Sequence, residues 1–250
     1  MTYQMRKSEV KLGGSYAVTV YHIFQDQFTL EEYLGIDPSS YRKRLLEFLE
    51  KEIPQLSSQF RTLISSEPLL SPRIKYREVP YKSALPARIF DDLLVCKQRA
   101  YFSLSKAKAI FDLRMEFEKK QDIQLESKQM EVFFKVGNYW YKIVGVPDYV
   151  YENLVVELTI TRGLIRHLLG RAVIYAYMCM RYGEPCGTLI VPTTIPGTEE
   201  GAIAHLVLPN SRALDYLAEE LEKVIEGKFE AKRNNFCSSC LYKRQCQYSL

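Results

Sequence analysis

The run CSSCLYKRQC near the carboxyl end, which places Cys237, Cys240 and Cys246 in a C-x2-C-x5-C spacing, constrains this 250-residue chain more than any other feature. Two thiolates two residues apart turn their sulfurs to one side of the chain and can grip one metal centre. A third thiolate follows closely, so a fourth donor has to come from elsewhere and the tail has to fold back onto the body. The other cysteines are Cys96, Cys179 and Cys186. Cys179 and Cys186 lie in or just after an apolar helical stretch, where cysteine behaves as an inert small core residue. Cys96 sits in the polar and aromatic setting VCKQRAYF and is the preferred fourth donor. Zinc and iron–sulfur centres use similar spacings, and the residues alone leave the metal open. Disulfides are not expected, because the amino-terminal MTYQMRKSEVK lacks the apolar core of a secretory signal.

The formal net charge of +4 is compatible with a nucleic-acid partner without demanding one. The only histidines, His22, His167 and His205, are too few for a histidine-rich metal site. No apolar run approaches the roughly 20 residues that span a bilayer, so no membrane partner is expected and the default expectation is a cytoplasmic protein. Eighteen tyrosines offer either base-stacking surface or ordinary core and boundary packing.

Residues 1–82 carry no chemical motif. Residues 33–60 have an apolar stripe at helical spacing in LLEFLEKEI, and the proline-rich SSEPLLSPRIKYREVPYKSALP reads as a linker or extended arm. A helical amino-terminal extension over 1–82, serving packing or a partner, is the expectation. Residues 83–250 are better organised. A helix is expected over 87–121, with Cys96 inside it. Three strands follow, MEVFFKV, YWYKIVGVPDYV and LVVELTI, with turns at Gly137-Asn138 and Glu152-Asn153. LIRHLLGRAVIYAYMCMRYG then puts Leu164, Leu168, Arg171 and Tyr175 on one helical face. GTLIVP and AIAHLVLP read as strands, and residues 211–225 as an amphipathic helix with Leu214, Leu217, Leu221 and Val224 inward. The fold class is α/β, a mixed central sheet flanked by helices.

Two carboxylates stand out. Asp148 ends one expected strand and Glu157 lies inside the next, so a hairpin can bring both to one sheet end. A hard divalent cation held there could activate water and stabilise charge on a scissile phosphate. Two solvated acids flanking a turn are the plainer alternative.

In that order, CKQRAYF, GVPDYV, VVELTITRG, RAVIYAYM and CSSCLYKRQC resemble the motifs of the RecB-like PD-(D/E)XK nucleases, with their restriction-endonuclease-like fold. Within them the chain looks most like the CRISPR-associated Cas-four exonucleases of type I-A systems, and more distantly like AddB nuclease domains. The resemblance covers residues 83–250. It implies a [4Fe-4S] cluster on Cys96, Cys237, Cys240 and Cys246, and Mg2+ or Mn2+ on Asp148 and Glu157. It also implies exonuclease action on DNA ends during CRISPR adaptation, beside the adaptation integrase. The chain departs from the pattern where the family's lysine is Thr159 and its helical glutamine is Arg171, with Tyr175 retained. The family's upstream histidine is absent, and Glu116 or Glu118 is expected to supply a third carboxylate. Arg171, Tyr175, Thr159 and Arg162, with Arg166 nearby, then fall on the substrate side. Thr159 carries no positive charge and cannot take over the electrostatic role of a lysine. A catalytically inactive relative that binds DNA and the integrase as an assembly factor is therefore the alternative, with a zinc-stapled nucleic-acid-binding module as a third.

Overall fold

The computed structural model describes residues 3–25, 47–65, 71–104, 128–159, 166–180, 185–192 and 202–247. In chain order its elements are β1 (Tyr3–Gly13), β2 (Tyr16–Gln25), α1 (Ile53–Ser65), β3 (Ile74–Lys75), β4 (Ala84–Pro86) and α2 (Ile89–Val95). They continue with β5 (Met130–Val136), β6 (Tyr139–Gly145), β7 (Tyr149–Tyr151), β8 (Leu154–Thr159), α3 (Leu168–Cys179), β9 (Gly187–Pro192), β10 (Ala204–Val207) and α4 (Ser211–Ile225). A further helical stretch at 97–104 follows α2 after a break at Cys96, whose backbone is extended.

The amino-terminal extension is not helical throughout. Its first residues form the antiparallel hairpin β1–β2, with Gly14 at φ +55° in the turn. Val18, Val20 and Ile23 of β2 are buried. Strand β2 then pairs antiparallel with β10, which makes this hairpin part of the main sheet. The helical expectation holds for a short π-helical turn at Phe48–Glu52 and for α1. Residues 33–46 lie outside the described residues.

The expected single central sheet is two sheets. A six-stranded sheet runs β1-β2-β10-β9-β8-β7, and a four-stranded one runs β3-β5-β6-β4. The expected strand YWYKIVGVPDYV breaks between Gly145 and Tyr149, giving β6 to the small sheet and β7 to the large one. Pro147 has no N–H to donate to a ladder and fixes its own φ, so the chain leaves one sheet there and enters the other. The two turns at Gly137-Asn138 and Glu152-Asn153 fall as the sequence indicates. The proline-rich stretch also contributes structure, because β3 and β4 form the two edges of the small sheet.

Helix α1 covers one face of the large sheet, setting Leu56, Phe60 and Ile64 against Leu154, Val156 and Leu189. Helices α3 and α4 lie between the sheets, where Val173, Leu217 and Leu221 share a core with Val155 on one side and Phe134 and Ile143 on the other. Side chains alternate along β8. Leu154 and Val156 therefore face α1, and Val155, Glu157 and Thr159 face α3. Helices α2 and α3 touch backbone to backbone at Gly170, where a Cβ would fall 2.4 Å from the Phe90 carbonyl oxygen. Among the described residues no helix is long and apolar enough to cross a membrane. The disulfide expectation is also corrected: Cys179, the last residue of α3, is bonded to Cys186 just before β9. Helix α3 brings the pair together by linking the parallel neighbours β8 and β9.

The β2–β10 seam carries a titratable pair. His205 lies opposite His22, with their Nδ1 atoms 2.9 Å apart, and Ser8 Oγ meets His22 Nε2 at 2.6 Å. Burial, and then the neighbouring His22, push the His205 pKa down to about 3. The folded protein thus keeps His205 neutral where an unfolded chain, titrating near 6.5, takes up a proton. Its contribution to stability is full above about pH 6.5 and is lost as the pH falls toward 3. Stability should drop by about 2 kcal/mol between pH 7 and pH 5 on this account. His205→Gln should flatten that limb when urea midpoints are compared at the two pH values.

Candidate functional site

Strand pairing places the first acid. Tyr149 of β7 lies opposite Val156 of β8, so Asp148, one step further, comes level with Glu157. The Leu158 N–H donates to Asp148 Oδ2 at 2.7 Å, fixing that carboxylate against β8. The structure then adds a carboxylate not singled out in the sequence. Asp91 of α2 points across the contact at Gly170 and accepts from the Arg171 N–H at 2.9 Å in the first turn of α3. Its other oxygen is 3.1 Å from Arg171 Nε. Arg171 Nη2 is 3.1 Å from Glu157 Oε2, so one guanidinium bridges two buried acids on different elements.

This guanidinium is itself largely buried. Burial works against its charge, but Glu157 and then Asp91 more than compensate, and the pKa stays well above the ordinary arginine value. Tyr175, one turn along α3, is 2% exposed, with the Arg171 guanidinium carbon 5.9 Å from its ring centre. A Cβ at Gly145 would meet the Tyr175 ring at 2.3 Å, so the glycine of the G-x-x-D motif provides the space in which the tyrosine sits. Burial first, and then the charge on Glu157, hold the Tyr175 hydroxyl well above its ordinary pKa. Tyr175 therefore packs inside the acidic centre. Thr159 is buried on the same face of β8 as Glu157. Glu116 and Arg162 lie outside the described residues, and Arg166 is exposed.

The divalent-cation expectation fits this arrangement poorly. Among the described residues no three His, Cys, Asp or Glu side chains group so as to hold one metal ion. Asp91 and Glu157 both turn an oxygen to Arg171, and Asp148 spends one on a backbone amide.

The four cysteines expected to share a metal line one cavity, although among the described residues they do not group closely enough to hold one ion. Cys96, Cys237, Cys240 and Cys246 are not disulfide-bonded, and the cavity they line also has apolar walls from Val95 and Phe102. Cys96 owes its place to the break between α2 and the following helical stretch. Asn234 anchors the tail by donating to the Val95 carbonyl at 2.9 Å, and its own N–H points to Cys237 Sγ at 3.3 Å. A second anchor runs through Asp92. This buried acid accepts from Arg99 Nε at 2.6 Å and from Ser103 Oγ at 2.7 Å, and Ser103 meets the Tyr242 hydroxyl at 3.2 Å. Adjacent aspartates on α2 thus serve two centres, Asp91 the acidic one and Asp92 the cysteine one. A cavity of about 140 Å³ is bordered by both aspartates.

Two adjacent acids inside the apolar heptapeptide IFDDLLV were the available signal for Asp91 and Asp92, because a helix that apolar is buried all round and its charges need partners.

No protein-family profile matches the chain, and no curated protein matches it. Among solved structures, one described as "Crystal structure of SSO0001" is similar over 90% of this chain and 99% of that one, with a TM-score of 0.44 and 16% sequence identity.

Proposed function

We propose that the chain is a RecB-like, iron–sulfur-stapled protein that binds DNA ends and an adaptation integrase in CRISPR spacer acquisition, and holds DNA without cutting it. The observation that carries the reading is the Arg171 clamp. A guanidinium sits between Asp91 and Glu157, and Thr159 stands where the family's lysine would be. A nuclease of this kind needs its carboxylates turned toward a cation and a positive side chain beside the attacking water. Here the acids already have an internal cation. Support for the cluster comes from the cavity ringed by four thiols, whose apolar walls suit a low-dielectric iron–sulfur site. Metal analysis and the visible absorbance of anaerobically purified protein separate such a cluster from a tetrahedral zinc on the same four sulfurs.

The nuclease reading keeps one observation in its favour. Asp91, Asp148 and Glu157 all lie close enough to Arg171 to act on its charge, which brings to one place three carboxylates of the kind that bind Mg2+ or Mn2+. Incubating anaerobically purified protein with 5′-labelled single-stranded DNA and Mn2+ separates the two. The expected result is retention of the DNA in a binding assay with no shortening, the same for wild type and Asp148→Ala. Shortening by wild type that Asp148→Ala abolishes would establish the exonuclease instead.

A further inference from the structure

The small sheet has one face packed on the α3–α4 core and one turned away from it. Val132, Phe134, Tyr141 and Ile143 belong to the core. The alternate positions carry a different chemistry. Lys75 lies opposite Phe133, Phe133 opposite Lys142, and Lys135 opposite Trp140, so these side chains share the outer face. Lys75 Nζ lies 4.7 Å from the centre of the Trp140 ring, and Lys82 Nζ lies 4.6 Å from that of Tyr139. Tyr139, opposite Val136, belongs by alternation to the row of Tyr141 and Ile143, but it begins β6 and is 58% exposed at the end of the sheet; Tyr81 is also exposed, beside Phe133. The acids of this face are Glu131, bonded to Lys142 at 2.7 Å, and Glu78, which also lies close to Lys142. Lys75, Lys82 and Lys135 have no carboxylate partner among the described residues, so the uncompensated positive charge gathers around the two rings.

We infer that this outer face and the sheet end beside it are the seat of a single DNA strand, with Trp140 on the face and Tyr139 at the sheet end stacking on its bases and Lys75, Lys82 and Lys135 meeting its phosphates. The inference rests on the DNA-binding reading above and names the form of DNA and the surface that takes it. Aromatic platforms flanked by lysines bind single strands without regard to sequence, because every base has a π-face and every nucleotide a phosphate. Each ammonium now over a ring can swing to a phosphate, which frees the ring face for a base. A duplex keeps its bases stacked on one another and would engage the lysines alone. An acidic peptide would likewise satisfy the lysines and leave the rings without partners.

Trp140 is the only tryptophan in the chain, so intrinsic emission reports on this face and nowhere else. The test titrates the full-length protein with a short oligothymidylate, following oligonucleotide anisotropy and Trp140 emission together. Saturable quenching that tracks the anisotropy is expected. Tyr139→Ala should weaken binding about tenfold by removing one stacking platform. Lys75→Ala with Lys82→Ala should lower the slope of log affinity against log salt by about 1.4. Tyr139 is exposed, so its variant leaves folding intact, and an unchanged affinity would count against the site. Anisotropy that rises while Trp140 emission stays constant overturns the inference but leaves the DNA-binding reading standing. So does equal quenching by a blunt duplex or by polyglutamate. No binding of any DNA overturns both.

Discussion

Replacing Arg171 by alanine should lower folding stability by about 3–5 kcal/mol, the range for removing one partner from a buried ion pair. The loss is that large because the two acids left behind cannot reach water. Asp91 and Glu157 have side chains only 7% and 8% exposed, and they face each other across the place the guanidinium fills. Lysine should recover only part of the loss, because a single ammonium lacks the planar fork that reaches two carboxylates from one side chain. Removing the acids' charges as well, with Asp91→Asn and Glu157→Gln in the Arg171→Ala background, should restore much of the stability. Urea unfolding of the three variants measures this. A loss below about 1 kcal/mol for Arg171→Ala, the size of an exposed pair, would show that the clamp does not hold the acids, and the case against cutting would fail with it.

The second large effect concerns the tail. Cys96→Ser or Cys237→Ser should abolish the brown colour and the absorbance near 400 nm expected of anaerobically purified protein. It should also release the carboxyl-terminal segment to protease while leaving the two sheets folded. Cys96 and Cys237 stand ~140 residues apart. In the chain-entropy picture, a link closing a loop of that length is worth roughly 5 kcal/mol through the unfolded state, as for a disulfide. Protein contacts that hold the tail include Asn234 on Val95, Ser103 on Tyr242, and the Phe102–Tyr242 and His167–Phe236 ring contacts at 5.3 and 5.4 Å. Colourless wild-type protein containing one zinc per chain would refute the cluster.

How much of this was legible in the sequence differs from element to element. That Cys96 would meet the three tail cysteines at one cavity could be read because their spacing is local and Cys96 had a setting unlike that of its rivals. Helix α4 matched its expected span, 211–225, because its apolar stripe is regular and Asn210 caps it by accepting from the Arg212 N–H at 2.9 Å. The hairpin β1–β2 was missed for a physical reason. Strand β1 is an edge strand whose residues are mostly exposed, so it lacks the apolar alternation that marks a strand, and the clearer pattern in YAVTVYHIF stood alone. The split into two sheets turned on Pro147, which a run of apolar and aromatic residues on both sides concealed. The acidic centre was half visible. Asp148 and Glu157 are neighbours in a hairpin, whereas Asp91 reaches them only through the packing of α2 on α3 at Gly170. Which acid completes a site is a tertiary fact, and Glu116, expected from its position along the chain, lies outside the described residues.

The pairing of β2 with β10 has a consequence for the order in which the molecule is built. A ribosome makes the hairpin first, and its permanent neighbour, Ala204–Val207, arrives about 180 residues later. At ~5–20 residues per second that is roughly ten seconds or more during which the inner edge of β2 has unmet hydrogen-bonding groups and nothing of its own to pair with. The segment AVTVYHIF is uncharged and rich in β-formers, the profile of a strand that joins other chains when left uncovered. Slowing synthesis between the hairpin and β10 should therefore lower soluble yield more than slowing it after β10.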